Sequence, residues 1–303
     1  MEKVKNNNYL KLAVKNCISC NKPMPIKVSS WTYQCSECKY WFSLLNVSID
    51  DTDSYLYSED RDDEKIISFL DHIRKKNFTI ILNEIEKLFV EKKLNILDVG
   101  CASGLFMKMA DLEGHHVVGI EPNFFMAKIA RNDGLRVLDG YFPDSLNKSY
   151  IFDVIIFNDV FEHIPDIDRI AEACKDHLVT GGAIVINLPN SDGILFRIAK
   201  NLYRIGIRSP WERLWQKMFN TPHLHYFNPK SLSKFLNKHG YHQVTKVTML
   251  DTFTLDGLWE RISIDRSVNI VNRIFLYLSI AFSIPIIKIF TQDAFFVICK
   301  KNI

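Results

Sequence analysis

Several signals that would place a chain outside the cytoplasm or inside a bilayer are missing from this 303-residue sequence. No apolar leader opens it: Met1-Glu2-Lys3 runs into an asparagine cluster, so export is not expected. The strongest uncharged apolar run, residues 274–287 between Arg273 and Lys288, falls short of the roughly 20 residues that span a membrane. It is expected to be a buried or interfacial helix. Internal repeats are absent, and low complexity is confined to Asn6-Asn7-Asn8. Net charge is only +3, too little to argue for nucleic acid. With 47% apolar and 24% charged residues the chain is an ordinary globular one, which excludes long disorder. Seven cysteines without an export signal point to thiols or metal ligands rather than disulfides.

Charge is unevenly spread. Residues 1–39 carry seven Lys or Arg against two acids, and 50–64 carry eight acids against one Arg. This pattern divides the chain into a basic module (1–49), an acidic linker (50–65) and a main domain (66–303). Within the module, Cys17-Ile-Ser-Cys20 and Cys35-Ser-Glu-Cys38 are separated by fourteen residues. Two such knuckles at this spacing suit a structural zinc ion held by four thiolates. Asn21 follows the first knuckle, where the backbone often turns left-handed and Asn tolerates it; Lys39 suits the second less well. Cys101, Cys174 and Cys299 stand singly among apolar residues and are expected to be packing residues.

Apolar spacing over 66–90 predicts one or two helices. Short apolar strands (95–99, 116–120, 136–138, 152–157, 183–188) then alternate with amphipathic helices (105–112, 124–132, 166–178). That alternation implies a parallel sheet covered on both faces. Segments 241–249 and 294–300 are the last strand candidates, and two insertions, 190–222 and 251–292, lie between strands.

The turn after the first of these strands is glycine-rich: Asp98-Val-Gly100-Cys101-Ala-Ser-Gly104. Glycine there lets backbone approach a ligand closely. Asp98 can accept a hydrogen bond from an amine, and Glu121, twenty-three residues on at the tip of the next strand, suits the hydroxyls of a ribose. A nicotinamide-binding loop expects a middle glycine where Ala102 stands, and Asp98 would oppose its phosphates.

Five runs, ILDVGCASGLF (96–106), VVGIEPN (117–123), FDVIIFNDVFEHIPD (152–166), LVTGGAIVINLPN (178–190) and HLHYFNPKSLSKFLNKHGY (223–241), resemble the class I S-adenosylmethionine-dependent methyltransferases. The likeness is greatest to the branch containing ubiquinone-pathway O-methyltransferases and surface-glycan or sugar methyltransferases, some with an N-terminal four-cysteine zinc module. The resemblance implies an α/β fold, a doubly wound, seven-stranded, mostly parallel Rossmann-like sheet ending in an antiparallel pair. It implies S-adenosylmethionine as cofactor, with Asp98, Gly100, Cys101 and Gly104 at its methionyl end and Glu121 with Pro122 at the ribose. Tyr141 would lie by the adenine, and Asn158 and Asp159 would border the sulfonium. Ala102 in place of a frequent glycine should tighten the loop, and Tyr141 in place of a common acid suggests adenine recognition by stacking or by backbone bonding.

Methylating a hydroxyl requires removal of its proton, and a histidine serves near neutrality. His163 and His225 are the two candidates for that base. A metal pair of His223 with His225 lacks an evident third ligand. The remaining histidines, His72, His115, His116, His177, His239 and His242, read as solvated or turn positions.

Insertion 190–222 holds six basic residues against two acids. Ile194, Ile198, Leu202 and Ile205 share one predicted helical face, and Ser209-Pro210-Trp211-Glu212 reads as a capping box opening a second helix. Such helices suit a lid or an interfacial contact. The expected partners are a small or carrier-linked acceptor and, through 190–222 and 268–290, the inner face of a membrane. Nucleic acid is not expected. The acceptor favoured is a sugar or glycan precursor, with a quinone or aromatic lipid as the alternative, and RNA or protein docking through the ribbon as a further one.

Overall fold

The computed structural model describes residues 16–47, 61–90, 92–245, 247–250, 259, 262, 269–287 and 290–301. Two short strands, β1 (Thr32–Gln34) and β2 (Trp41–Ser43), form the ribbon hairpin. A long helix α1 (Arg61–Leu88) follows, so 61–65 belong to a helix and not to the expected linker. The rest of that linker lies outside the described residues.

The expected alternation then begins: β3 (Asn95–Val99), α2 (Leu105–Leu112), β4 (His116–Glu121), α3 (Phe124–Asn132), β5 (Arg136–Asp139), β6 (Phe152–Asn158), α4 (Ile167–His177) and β7 (Leu178–Pro189). Side-chain caps start the helices where the residue types allow. Asn123 accepts from Met126 N at 3.0 Å, and Asp166 from Arg169 N at 3.0 Å. The chain continues through α5 (Ile194–Arg204), α6 (Ser209–Leu214), β8 (His225–Tyr226), α7 (Pro229–Lys238), β9 (Tyr241–Gln243), β10 (Thr248–Leu250), α8 (Ile270–Ile287) and β11 (Ala294–Lys301).

The main sheet runs β10-β11-β7-β6-β3-β4-β5. Strands β3 to β7 pair parallel, and β11 pairs antiparallel with β7. The single strand expected over 241–249 is broken: β9 and β10 both pair with β11, at its two ends. Alternate strand residues face opposite layers. Ile96, Val154, Ile156, Val185 and Phe296 meet α1 and α2, while Leu97, Ile155, Phe157, Ile186 and Val297 meet α4 and α7. Each such side chain contributes roughly 1.5–3 kcal/mol, so this double core carries the fold. Strand order reverses at β3, which opens a crevice at the carboxyl ends of β3 and β6.

Three expectations need correction. On α5 the buried face is Phe196 and Ala199, whereas Ile198 and Ile205 are exposed. The reason is an aromatic cluster in which Phe196 packs on Trp41, Trp211, Trp215 and Tyr226, so ring size outweighs aliphatic spacing. Ser209 makes no capping box, because α6 starts with Arg208 as its cap residue; a capping box is instead formed by Asn228 with Ser231 at the start of α7. His115, His177 and His239 are buried, the last between Asp168 and Glu172. Helix α8 buries Ile284, yet Val271 (70%), Leu278 (59%) and Phe282 (80%) stand exposed. No helix of the described residues is long and apolar enough to cross a membrane. Cys101, Cys174 and Cys299 are all buried.

Candidate active site

Glycines shape the turn between β3 and α2. Gly100 (φ +73°) and Gly104 (φ +83°) lie in the left-handed region. A Cβ at Gly100 would come within 2.5 Å of Val160 Cγ2, and one at Gly104 would collide with Leu135 Cδ1. Ala102 also takes a positive φ, +48°, a conformation that costs a non-glycine residue energy. What holds it there is Glu121, whose Oε2 accepts from Ala102 N and whose Oε1 accepts from Asn123 N, both at 2.8 Å. One buried carboxylate thus fastens the β3 and β4 turns together. Burial raises its pKa and the two backbone amides oppose the rise. Each of its oxygens retains acceptor capacity for a further hydroxyl.

Asp98 is buried, and its Oδ1 has no hydrogen-bond partner. Burial, and then the charge of Glu121, pushes its carboxyl up to about 7. A carboxylate in that condition favours a cationic or donor ligand. On the same face of the sheet, two register positions along, Asn158 ends β6 beside Asn187 of β7. The Asn158 side chain offers Asp98 a donor that opposes the rise of its carboxyl, and the Oδ1 of Asn187 is buried without a partner. Orphaned atoms therefore lie at the carboxyl ends of β3 and β7, where a ligand that carries donors and acceptors would satisfy them. Tyr141 follows Gly140 at the end of β5 with its side chain half-exposed, accessible to a flat ring. Cys101 differs from the rest. Its sulfur packs against Gly119 and Met107 and burial raises its thiol, so its side chain is a packing group.

Beyond β6 the chain turns through Asp159 (φ +55°), whose carboxylate lies 3.9 Å from Arg74 Nε of α1. A single 3-10 turn, Phe161–His163, follows. The His163 ring bonds Pro222 O through Nδ1 at 3.0 Å. A carbonyl only accepts, so Nδ1 carries the proton and Nε2 holds a lone pair. Burial lowers the His163 pKa and keeps the ring neutral. Beside it, His223 packs edge-on at 4.7 Å between ring centroids. Its Nε2 lies 3.0 Å from Gln216 Nε2, while Nδ1 has no partner. Glu162 is buried with Oε2 unpartnered, and burial pushes its carboxyl well up. One ligand atom from each of Glu162, His163 and His223 lies within 4.8 Å of the others.

His225 is elsewhere. It is fully buried, with Nδ1 bonded to Tyr40 Oη of the ribbon and Nε2 donating to Ile164 O at 2.8 Å. Burial lowers its pKa to about 4. Both nitrogens are committed, and His223 does not pair with it. The third ligand missing from the sequence is Glu162, and the histidine joining His223 is His163. Glu162, Gln216 and Arg74 were not predicted as site residues. Only Glu162, next to His163 in a polar run, gave any sign in the sequence.

In the ribbon, the four cysteine sulfurs lie within 4.8 Å of one another, with Cys17–Cys38 at 3.5 Å and Cys20–Cys35 at 3.4 Å. A tetrahedron with bonds of ~2.3 Å needs sulfurs somewhat under 4 Å apart, so the quartet fits zinc. Cys35 Sγ also accepts from the Glu37 and Cys38 amides. Asn21 (φ +56°) and Lys39 (φ +63°) are both left-handed, so the second knuckle turns as the first does despite its lysine.

Comparison with known proteins gives three results. A family profile described as "Methyltransferase domain" matches residues 69–246, more than half of the chain. Over 195 residues the chain is 24% identical to the ubiquinone biosynthesis O-methyltransferase of Marinobacter nauticus, covering 56% of this chain and 79% of that one. It is 29% identical over 151 residues to the enzyme of the same name from Rickettsia prowazekii, covering 46% of this chain and 58% of that one. For this and several other relatives the match spans only about half of their length. Among solved structures, phosphoethanolamine N-methyltransferase 2 of Haemonchus contortus in complex with S-adenosyl-L-methionine superposes with a TM-score of 0.55 at 18% identity, covering 84% of this chain and 61% of that one. A cyclopropane synthase of Mycobacterium tuberculosis gives 0.53 at 15% identity, covering 75% and 84%. Identities this low speak to the fold alone.

Proposed function

The chain belongs to the methyltransferase-domain family, and we propose that it methylates a hydroxyl of a sugar or glycan precursor, with S-adenosylmethionine as donor and His163 as base. The observation that carries this reading is the set of buried polar atoms without partners beyond the cofactor turns, at Asn187, Glu162 and His223. A polyhydroxylated acceptor satisfies such atoms, whereas an aromatic lipid leaves them buried and unpaired.

Asp98 suits the ammonium of the cofactor's methionyl end, and Glu121 suits the ribose hydroxyls. When bound, S-adenosylmethionine supplies a methyl group on a positively charged sulfur, open to in-line displacement. The strand tips of β3 and β6 set the relative positions of donor and acceptor, which is the main task in such a transfer. Neutral His163 offers Nε2 to the acceptor hydroxyl and takes its proton, while Nδ1–H stays bonded to Pro222 O and fixes the ring. His225, locked between Tyr40 and Ile164, supports the loop.

The Glu162–His163–His223 cluster favours a second reading, in which a divalent cation at these three ligands holds the acceptor oxygen and lowers its pKa. The shared name of the relatives supports the alternative acceptor, a quinone or other aromatic lipid. Zinc in the cysteine quartet completes the proposed cofactors.

Two variants test the assignment of the base, His163→Ala and His225→Ala, assayed over pH with an acceptor in hand. His163→Ala should lower turnover by ~10²–10⁴ with cofactor affinity nearly intact, and should lose the acidic limb that falls below pH 6.5. Near-wild-type turnover in His163→Ala, with a slow His225→Ala, would reverse the assignment. Loss of wild-type activity on dialysis against chelator, restored by magnesium or manganese, which do not refill a four-thiolate site, would favour the second reading.

A further inference from the structure

Ribbon and enzyme share a sheet. Strand β2 pairs antiparallel with β8, Trp41 opposite Tyr226 and Phe42 opposite His225, so the smaller sheet β1-β2-β8 crosses the module boundary. From this seam two hydrogen-bonded runs reach the two sides of the Glu162–His163–His223 pocket. In the first, buried Ser43 donates through Oγ to His223 O at 2.8 Å and through its amide to Leu224 O at 2.9 Å. Leu224 N then donates to Glu162 O at 2.8 Å. In the second, Tyr40 Oη–H donates to His225 Nδ1, and His225 Nε2–H donates to Ile164 O, one residue past His163.

The knuckles themselves join in. Cys38 O accepts from Asn228 Nδ2 at 3.2 Å, and Ile18 O from Lys238 Nζ at 3.2 Å. Trp41 stands in the aromatic cluster with Trp211, and Trp215 O accepts from His223 N at 3.0 Å. His223 is therefore held on one side by the ribbon and on the other by the insertion that the ribbon's tryptophan packs.

We propose that the four-cysteine ribbon is a wall of the acceptor pocket: Ser43 and Tyr40 are positioning residues that hold His223 and the 162–164 turn in register. The inference rests on the acceptor-side reading above, though its observable is local backbone order. A three-residue strand pair is too short to persist alone, so the register of Ser43 depends on the quartet closing the hairpin. Loss of the staple should loosen the acceptor side and leave the β3–β4 cofactor turns, fastened by Glu121, as they are.

The test is hydrogen exchange read by mass spectrometry on the full-length protein, in four forms: wild type, wild type after chelation, Ser43→Ala and Tyr40→Phe. S-adenosylhomocysteine affinity is measured on each by calorimetry. The account predicts about three- to tenfold faster exchange in 162–164 and 223–225 for both variants, the scale of one lost hydrogen bond. Exchange in 96–104 and the affinity should stay at wild-type values, and Ser43→Thr, which keeps the hydroxyl, should restore slow exchange. Chelation should produce the same pattern more strongly, and added magnesium or manganese, which suit a carboxylate–imidazole site but not four thiolates, should leave it in place. Exchange rising in 16–47 alone would overturn the proposal, as would an equal rise across 96–104. Failure of every form to bind S-adenosylhomocysteine would instead count against the proposed function, and the exchange pattern would still decide the wall.

Discussion

Asp98→Asn separates what the cofactor loop does for binding from what it costs in stability. The wild-type carboxyl is pushed from its ordinary value of 3.8 up to about 7 by burial and by Glu121. Below about pH 4 the group is protonated in the folded and the unfolded chain, and it costs nothing. Between 4 and 7 the unfolded chain ionises while the buried group keeps its proton, so folding stability falls as pH rises. Above 7 the penalty levels off at about 4 kcal/mol, the free-energy equivalent of a carboxyl raised from 3.8 to about 7. Asparagine carries no such penalty. The ligand-free variant should therefore match wild type near pH 4 and gain on it by about 4 kcal/mol at pH 8, as urea unfolding measures. S-adenosylmethionine should reverse the order, because its ammonium stabilises ionised Asp98 and has no charge partner in the variant. Wild-type affinity for it should also weaken as pH falls below 7. A stability difference that does not change between pH 4 and 8, or a variant that binds the cofactor as tightly as wild type, would refute the reasoning.

Three further outcomes are expected. Glu121→Ala removes the acceptor of the Ala102 and Asn123 amides along with the proposed ribose contact; calorimetry should show cofactor affinity down by about 10- to 100-fold, from one to two charge-assisted bonds, and equal affinity would clear Glu121 of that role. Freshly purified protein should contain one zinc per chain, released as pH falls and the thiolates of Cys17, Cys20, Cys35 and Cys38 take up protons; four freely titratable thiols and no zinc would remove the metal from the account. Exposed Val271, Leu278 and Phe282 on α8, with the basic α5 hydrogen-bonded at Ile194 and Leu195 to the 291–293 segment that follows it, should bring the protein down with phosphatidylglycerol vesicles more than with phosphatidylcholine ones. Phe282→Ser should weaken that sedimentation, and indifference to lipid charge would count against a membrane face.

The main sheet was legible because its signals are local. Buried strands such as β6 and β7 contain continuous apolar runs (154–157 and 183–186), and Gly100, Gly104 and the cysteine knuckles stand at fixed offsets. What escaped depends on distant partners. Nothing near Ile198 reveals that Trp41, far off in the chain, will claim the Phe196 face of α5. Likewise His225 reads as a candidate base until Tyr40 and Ile164 occupy both its nitrogens. Glu162 joins His163 and His223 because Leu224 N donates to Glu162 O and His163 bonds Pro222 O, which brings residue 223 back to the turn after β6. The break between β9 and β10 has no comparable sequence marker, since 241–249 mixes polar and apolar residues along its whole length (His242, Gln243, Thr245, Lys246 and Thr248 among them).

The most direct test of the whole account is methyl transfer itself. The protein would be incubated with methyl-labelled S-adenosylmethionine and two acceptor panels, nucleotide- or lipid-linked sugars and catechol-bearing quinone precursors, beside His163→Ala. The account predicts label in a sugar methyl ether with wild type and loss of that product with His163→Ala. Label entering only catechols, or equal sugar methylation by the two proteins, would contradict it.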